Sequence, residues 1–107
     1  MATLKNIDVK EAVRLIHEQV PFVLDVRTTE EYRGGHIANS FLIQLQDLES
    51  RAKDLPQDYQ RSILVYCRSG NRSLAAGDVL IRCGYKNVYN LVGGIGSWQR
   101  SGEPLVK

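Results

Sequence analysis

Five consecutive apolar residues, Ile63-Leu64-Val65-Tyr66-Cys67, run without a break and then give way to Arg68-Ser69-Gly70-Asn71-Arg72. The run is far short of the ~20 residues a membrane span needs, and it lacks the alternation of a strand with one wet face. A short strand that is apolar on both sides must be covered on both, as the strands of a parallel sheet are between two helical layers. The rest of the chain meets that demand. Asp8 reads as an N-cap, followed at helical spacing by Ala12, Val13, Leu15 and Ile16 until Pro21 ends the helix. Phe22-Val23-Leu24 is a second buried strand. Thr28-Thr29-Glu30-Glu31 is a capping box opening a short helix that Gly34-Gly35 stops. Ser40 to Ile43 reads as a brief strand, and Leu45, Leu48, Ala52 and Leu55 predict a helix closed by Pro56. After the 68–72 loop a helix carries Leu74, Ala75, Val79, Leu80 and Ile81 to a Gly84 C-cap. Val88 to Leu91 is a further strand, and Gly93-Gly94 leads into a last helix bearing Ile95 and Trp98. The expectation is an α/β fold of about five strands, mostly parallel, in three layers α/β/α.

Length and charge narrow the function classes. The 107 residues suit one domain, so residues 1–107 are expected to form a single unit. A chain of this size buries roughly 65% of its unfolded surface and needs no disulfide or metal staple. Fourteen Lys and Arg against twelve Asp and Glu leave +2, and no run of basic residues forms an arm, so no nucleic-acid partner is implied. Lys5, Asp8, Lys10, Glu11 and Arg14 interrupt the amino terminus, which gives no signal-peptide pattern. A cytoplasmic protein without membrane attachment is expected. Neither Cys67 nor Cys83 belongs to a C-x-x-C pair, and His17 and His36 do not stand at metal-ligand spacing. No metal is expected from these spacings.

The chemistry to look for is therefore that of a single thiol. Ligands of open α/β sheets bind outside the carboxyl ends of the strands, and Cys67 lies at such an end. The loop after it enters a helix, whose first N–H groups and positive dipole end stabilise an anion. Arg68 and Arg72 add positive charge, and which of them turns inward stays open. Gly70 allows a tight turn, and Ser69 and Ser73 offer hydroxyl donors. The N–H groups, the helix dipole and the arginine charges all lower a thiol pKa, and the thiolate is the nucleophile. Cys67 is thus the candidate nucleophile, with Arg68, Ser69, Gly70, Asn71, Arg72 and Ser73 as a cradle for a charged sulfur species. Cys83, late in a helix, reads as inert packing. A rise of ~1.5 Å per residue puts it about 18 Å from the loop, beyond the ~7 Å Cα limit for a disulfide.

Cys67-Arg68-Ser69-Gly70-Asn71-Arg72-Ser73 after a buried strand resembles the active-site loop of the rhodanese sulfurtransferases. Leu24-Asp25-Val26-Arg27, Glu31-Tyr32 and Gly35-His36-Ile37 resemble that family's amino-terminal signature. Gly93-Gly94, Trp98, Gly102 and Pro104 resemble its carboxyl-terminal one. The resemblance implies a five-stranded parallel sheet of strand order 3-2-4-5-1. It also implies a ping-pong transfer in which Cys67 takes the sulfane sulfur of a small anionic donor such as thiosulfate. A thiol, cyanide or a sulfur-accepting protein then removes it. The resemblance implies no organic cofactor either. One departure stands out: Ala38-Asn39-Ser40 replaces the family's frequent Pro-Gly-Ala.

Neighbouring residues invite a catalytic reading but have simpler ones. His36 precedes a strand, which is expected to set it at the end of the sheet away from Cys67, as a structural cap. Asp25 and Arg27 read as a pair that fixes loop geometry, and Trp98 as an anchor for the last helix. His17, Tyr32 and Tyr66 read as structural. Two rival functions remain. Related phosphatases and arsenate reductases have a loop one residue longer between Cys and Arg, whereas four residues separate Cys67 from Arg72, which fits a smaller ligand than phosphate. Regulatory docking modules commonly lack the loop Cys that this chain keeps. A sulfur carrier would use the same loop as an enzyme.

Overall fold

The computed structural model describes residues 3–107. Within them, five strands form one all-parallel sheet: β1 (Leu4–Ile7), β2 (Phe22–Asp25), β3 (Ser40–Leu42), β4 (Ile63–Tyr66) and β5 (Val88–Leu91). The spatial order is β1-β5-β4-β2-β3, the expected 3-2-4-5-1 read from the other edge. The run that most constrains the fold is β4, the central strand. All four of its residues are buried.

The pleat divides β4 between two cores. Ile63 and Val65 point to one side, where Leu24, Leu48, Leu55, Ala76 and Leu80 close over them. Leu64 and Tyr66 point to the other, against Ala12, Leu15, Ile95 and Trp98. The second side is covered by α1 (Val9–Gln19) and α4 (Gly94–Arg100), and the first by α3 (Asn71–Arg82). The short α2 (Thr29–Arg33) buries no residue and sits beyond the carboxyl end of β2. Three layers, α/β/α, follow.

Local chemistry sets the helix ends. Glu11 N–H donates to Asp8 Oδ1 at 2.9 Å, and Asp8 N–H donates back to Glu11 Oε1 at 3.2 Å. Thr28 and Glu31 repeat this reciprocal cap at α2. Gly84 follows α3 at φ +107°, a left-handed position that a Cβ would strain.

One expectation needs correction, and one strand was not located in the sequence. Leu45–Asp47 and Ala52–Asp54 are separate 3₁₀ turns, not one helix. The anchors come in pairs three apart, Leu45 with Leu48 and Ala52 with Leu55, and three is the period of a 3₁₀ turn. Leu48 N–H donates to Leu45 O and Leu55 N–H to Ala52 O accordingly. The fifth strand, β1, is marked by no apolar run, because as an edge strand it exposes Lys5 and Asn6. Cys67 and Cys83 are both free thiols, and Cys83 packs at the margin of the first core. No helix among the described residues is long and apolar enough to cross a membrane.

Pro21 disfavours helical backbone at the residue before it, and Val20 leaves α1 in the left-handed region at φ 45° while 69% exposed. A β-branched side chain pays there in backbone strain and gains little burial. Val20→Gly is expected to stabilise the fold by about 0.5–1 kcal/mol, relief of left-handed strain less the added chain entropy. Urea unfolding checks it, and a loss of stability would refute the reading.

Candidate active site

Cys67 follows directly from β4, so its place is fixed by the most buried element of the fold. The residue itself has no exposed surface. The chain then turns through Arg68 and Ser69 and enters α3 with Gly70 as N-cap, at φ +103°. A Cβ on Gly70 would press within 3.2 Å of Gly93 N, so closeness and backbone conformation both call for glycine. This turn folds the loop back over the sulfur. Gly70 N–H donates to Cys67 Sγ at 3.1 Å, Ser73 N–H approaches it at 3.4 Å, and Ser73 Oγ lies 3.4 Å away.

The loop carbonyls face the other way, and α4 holds them. Ile95 N–H donates to Cys67 O at 2.9 Å and Gly96 N–H to Arg68 O at 3.1 Å. The start of α4 lies so close that a Cβ on Gly94, at φ +55°, would collide with the Cys67 carbonyl oxygen. With the carbonyls captured, the amides of the loop are left to face the sulfur. Burial pushes the Cys67 thiol up, but the Ser73 hydroxyl and the N–H groups of Ser73, Gly70 and Ser69 outweigh it. The thiol is held below its ordinary range.

The two loop arginines have different settings. Arg72 turns to α2, where Nη1 donates to Glu31 Oε1 at 2.8 Å and Nη2 to Glu31 Oε2 at 3.0 Å. This two-point pair ties α2 to the start of α3. Arg68 is exposed and has no carboxylate partner among the described residues. It lines a polar groove with Arg27, Glu30, Gly35 and Gln99. Ser69 and Asn71 are exposed on the rim, so Ser69 serves the sulfur through its backbone rather than its hydroxyl. Ser73 is fully buried beside Cys67.

Arg27 closes the groove from two residues past the end of β2. Its Nη2 donates to Asp25 Oδ2 at 2.7 Å and to Gly35 O at 2.8 Å, with both residues of the ion pair buried. The Asp25–Arg27 pair therefore fixes the loop after α2, as its sequence suggested. Gly35 lies on the groove beside Arg68, so the 34–36 turn stands at the same end of the sheet as Cys67 and not at the far end. The chain reaches that rim through α2 before descending to β3. His36 still turns from the thiol: its ring stacks on Tyr32 and Nδ1 contacts Tyr32 O at 2.8 Å. Trp98 is buried and its Nε1–H donates to Pro104 O at 2.9 Å. Tyr66 is buried, accepting from Ile37 N–H and donating to Ser40 Oγ. Sequence reasoning passed over the α4 amides and the buried Asn90 behind Ser73. The Gly93-Gly94 pair was the visible sign of the first. An amide inside a strand otherwise apolar was the sign of the second.

Residues 8–101 match the family described as the Rhodanese-like domain. A sulfurtransferase of Allochromatium vinosum is 37% identical over 93 residues, covering 87% of this chain and 85% of the relative. A thiosulfate sulfurtransferase GlpE of Coxiella burnetii is 32% identical over 95 residues, covering 89% and 87%. The solved structure of a rhodanese-related protein from Thermoplasma volcanium superposes with a TM-score of 0.85 at 36% identity, covering 95% of this chain and 97% of that one.

Two outcomes test this geometry. Gly94→Ala should force the start of α4 off the loop and slow alkylation of Cys67 at neutral pH by about tenfold or more, since a left-handed Cβ must displace backbone. An unchanged alkylation rate would show that α4 does not shape the cradle. The Arg72 guanidinium holds the Glu31 carboxyl down at about 2, against an ordinary value of 4.5. A lowered carboxylate stabilises the fold above its unfolded pKa and loses that contribution as pH falls through the folded one. Stability should therefore decline between about pH 4.5 and about pH 2, with a shallower decline in Glu31→Gln, as followed by denaturant unfolding across that range.

Proposed function

The chain belongs to the rhodanese-like family of sulfurtransferases, and on that premise we propose that it moves sulfane sulfur from thiosulfate or a similar anionic donor through a persulfide on Cys67. The observation that carries this reading is the buried Cys67 sulfur facing the loop N–H groups. Such a site favours a thiolate, and it equally favours the negative charge that a bound sulfur would bring. The Cys67 thiolate attacks the outer sulfur of thiosulfate. A new S–S bond forms, the old one breaks, and sulfite leaves with the bonding pair. Cyanide, a thiol or an accepting protein then attacks the outer sulfur of the persulfide, and the Cys67 thiolate returns. One difficult transfer becomes two easier ones, and the cycle calls on neither metal nor organic cofactor. We place this chemistry in the cytoplasm.

Arg68, without a carboxylate partner among the described residues, supports an anionic donor, since it follows Cys67 in the loop and lines the polar groove there. Arg72 spends its fork on Glu31, which leaves it a positioning role. That arrangement disfavours phosphate-ester chemistry, in which a guanidinium must grip a tetrahedral oxyanion inside the loop.

Incubation with thiosulfate is expected to add one sulfur to the intact mass of the wild-type protein. Cyanide should remove it, and Cys67→Ser should gain none. A wild-type protein whose reduced, reactive Cys67 gains no sulfur would overturn the reading, as would phosphate-ester turnover faster than thiosulfate turnover. Arg68→Ala should raise KM for thiosulfate by about two- to fivefold, the size of an exposed ion pair, and leave a neutral donor unaffected. Steady-state kinetics with both donor types decide it.

A further inference from the structure

β5 carries three residues fit for a buried strand and one that is not. Asn90 is 2% exposed, and a primary amide in a sheet core must have its hydrogen bonds met. Both ends of this amide are engaged. Its Nδ2 donates to Asn6 Oδ1 on the neighbouring edge strand at 3.0 Å, and its Oδ1 accepts from the Ser73 hydroxyl. Ser73 Oγ in turn lies 3.4 Å from Cys67 Sγ. A line of polar side chains thus runs from the exposed Asn6 through Asn90 and Ser73 to the sulfur.

A serine hydroxyl has one proton to give. Directed at Asn90, it leaves Oγ facing Cys67 with a lone pair, which accepts from a neutral S–H and repels a thiolate. Turned to the sulfur, it stabilises the thiolate and leaves the buried Asn90 oxygen without its donor. The two acceptors compete. We propose that Asn90 is a positioning residue that competes with Cys67 for the single Ser73 proton and so restrains the thiolate fraction of the resting nucleophile. The proposal rests on Cys67 being the nucleophile and goes beyond it in giving a residue with no contact to sulfur control of its ionisation.

Other charges around the site leave this control distinct. Arg72 of α3 faces Cys67 electrostatically but is paired with Glu31 of α2. Asp25 and Arg27 at the end of β2 are paired with each other, and Arg68 is exposed on the loop. Arg100 of α4 donates to Ser97, and Lys5 of β1 lies over the Tyr89 ring. None of these bonds to Asn90, so substitution there leaves the ionic surroundings in place.

The test is the pH profile of iodoacetamide alkylation from about pH 5 to about pH 9, where the thiolate is the reacting form. Cys83→Ala serves as the common background, so that Cys67 is the one thiol. Asn90→Leu is near in volume and should lower the apparent pKa by ~0.5 or more, or about threefold faster alkylation near pH 6. Ser73→Ala should raise it, and Asn90→Leu should then have no further effect. Asn6→Ala, on the exposed edge, should shift the profile in the same direction as Asn90→Leu but by less; it carries the test if Asn90→Leu fails to fold. An apparent pKa that is unmoved or raised in both Asn variants, or a lowering that survives loss of the Ser73 hydroxyl, overturns the proposal. Alkylation needs no sulfur donor. Failure to take sulfur from thiosulfate with this pKa pattern intact would fault the proposed function and not the Asn90 control.

Discussion

Two hydrogen bonds from α4 decide which way the active loop faces. A loop of a few residues has amides and carbonyls in nearly equal number, and an anion tolerates only the amides. Ile95 and Gly96 remove the carbonyls of Cys67 and Arg68 from the sulfur's surroundings by donating to them. The orphan donors at a helix start, which would otherwise need water or a cap, are satisfied by the same contacts. Gly94 is required because the two backbones touch, and α4 itself is anchored by Trp98 and Ile95 in the core. The cradle around Cys67 is thus held in shape by a segment distant from it in the chain.

This division also explains where positive charge is and is not used. The two ion pairs nearest the site, Asp25–Arg27 and Glu31–Arg72, tie segments together rather than hydrogen-bond the thiol. The sulfur is instead surrounded by neutral dipoles. Fixed amide dipoles in a buried setting are screened by salt far less than exposed charges are. The polarity around the thiol and the exposed positive charge of Arg68 therefore have separate locations, one inside the loop and one on its rim.

Much of this was legible in the residues. The strands β2 and β4 were visible because strands buried on both faces leave unbroken apolar runs, β5 because Val88 and Leu91 bracket its one amide, and the Asp8 cap and the Thr28–Glu31 capping box could be read directly. Cys67 and its loop followed from the end of β4. Strand order came from the family resemblance and not from periodicity. β1 was not marked, since an edge strand exposes half its residues and Lys5 and Asn6 hide the pattern. The 45–55 segment misled because pairs three apart also fit an α-helix stripe over a short window. The far-end placement of His36 failed because α2 carries the chain along the rim before it descends. Arg72's commitment to Glu31 joins residues 41 positions apart, a pairing that no local spacing reveals.

The two rims of the sheet show a different kind of provision. β3 is only three residues long, and Arg51 lies over the Phe41 ring while Arg61 lies over Phe22 beside it. β1, at the opposite rim, turns Lys5 outward. Unpaired strand backbone is a template for a second chain to join by hydrogen bonds, and short strands with cationic side chains discourage it. A sheet with two open sides is in this way kept from growing by accretion into fibrillar assemblies.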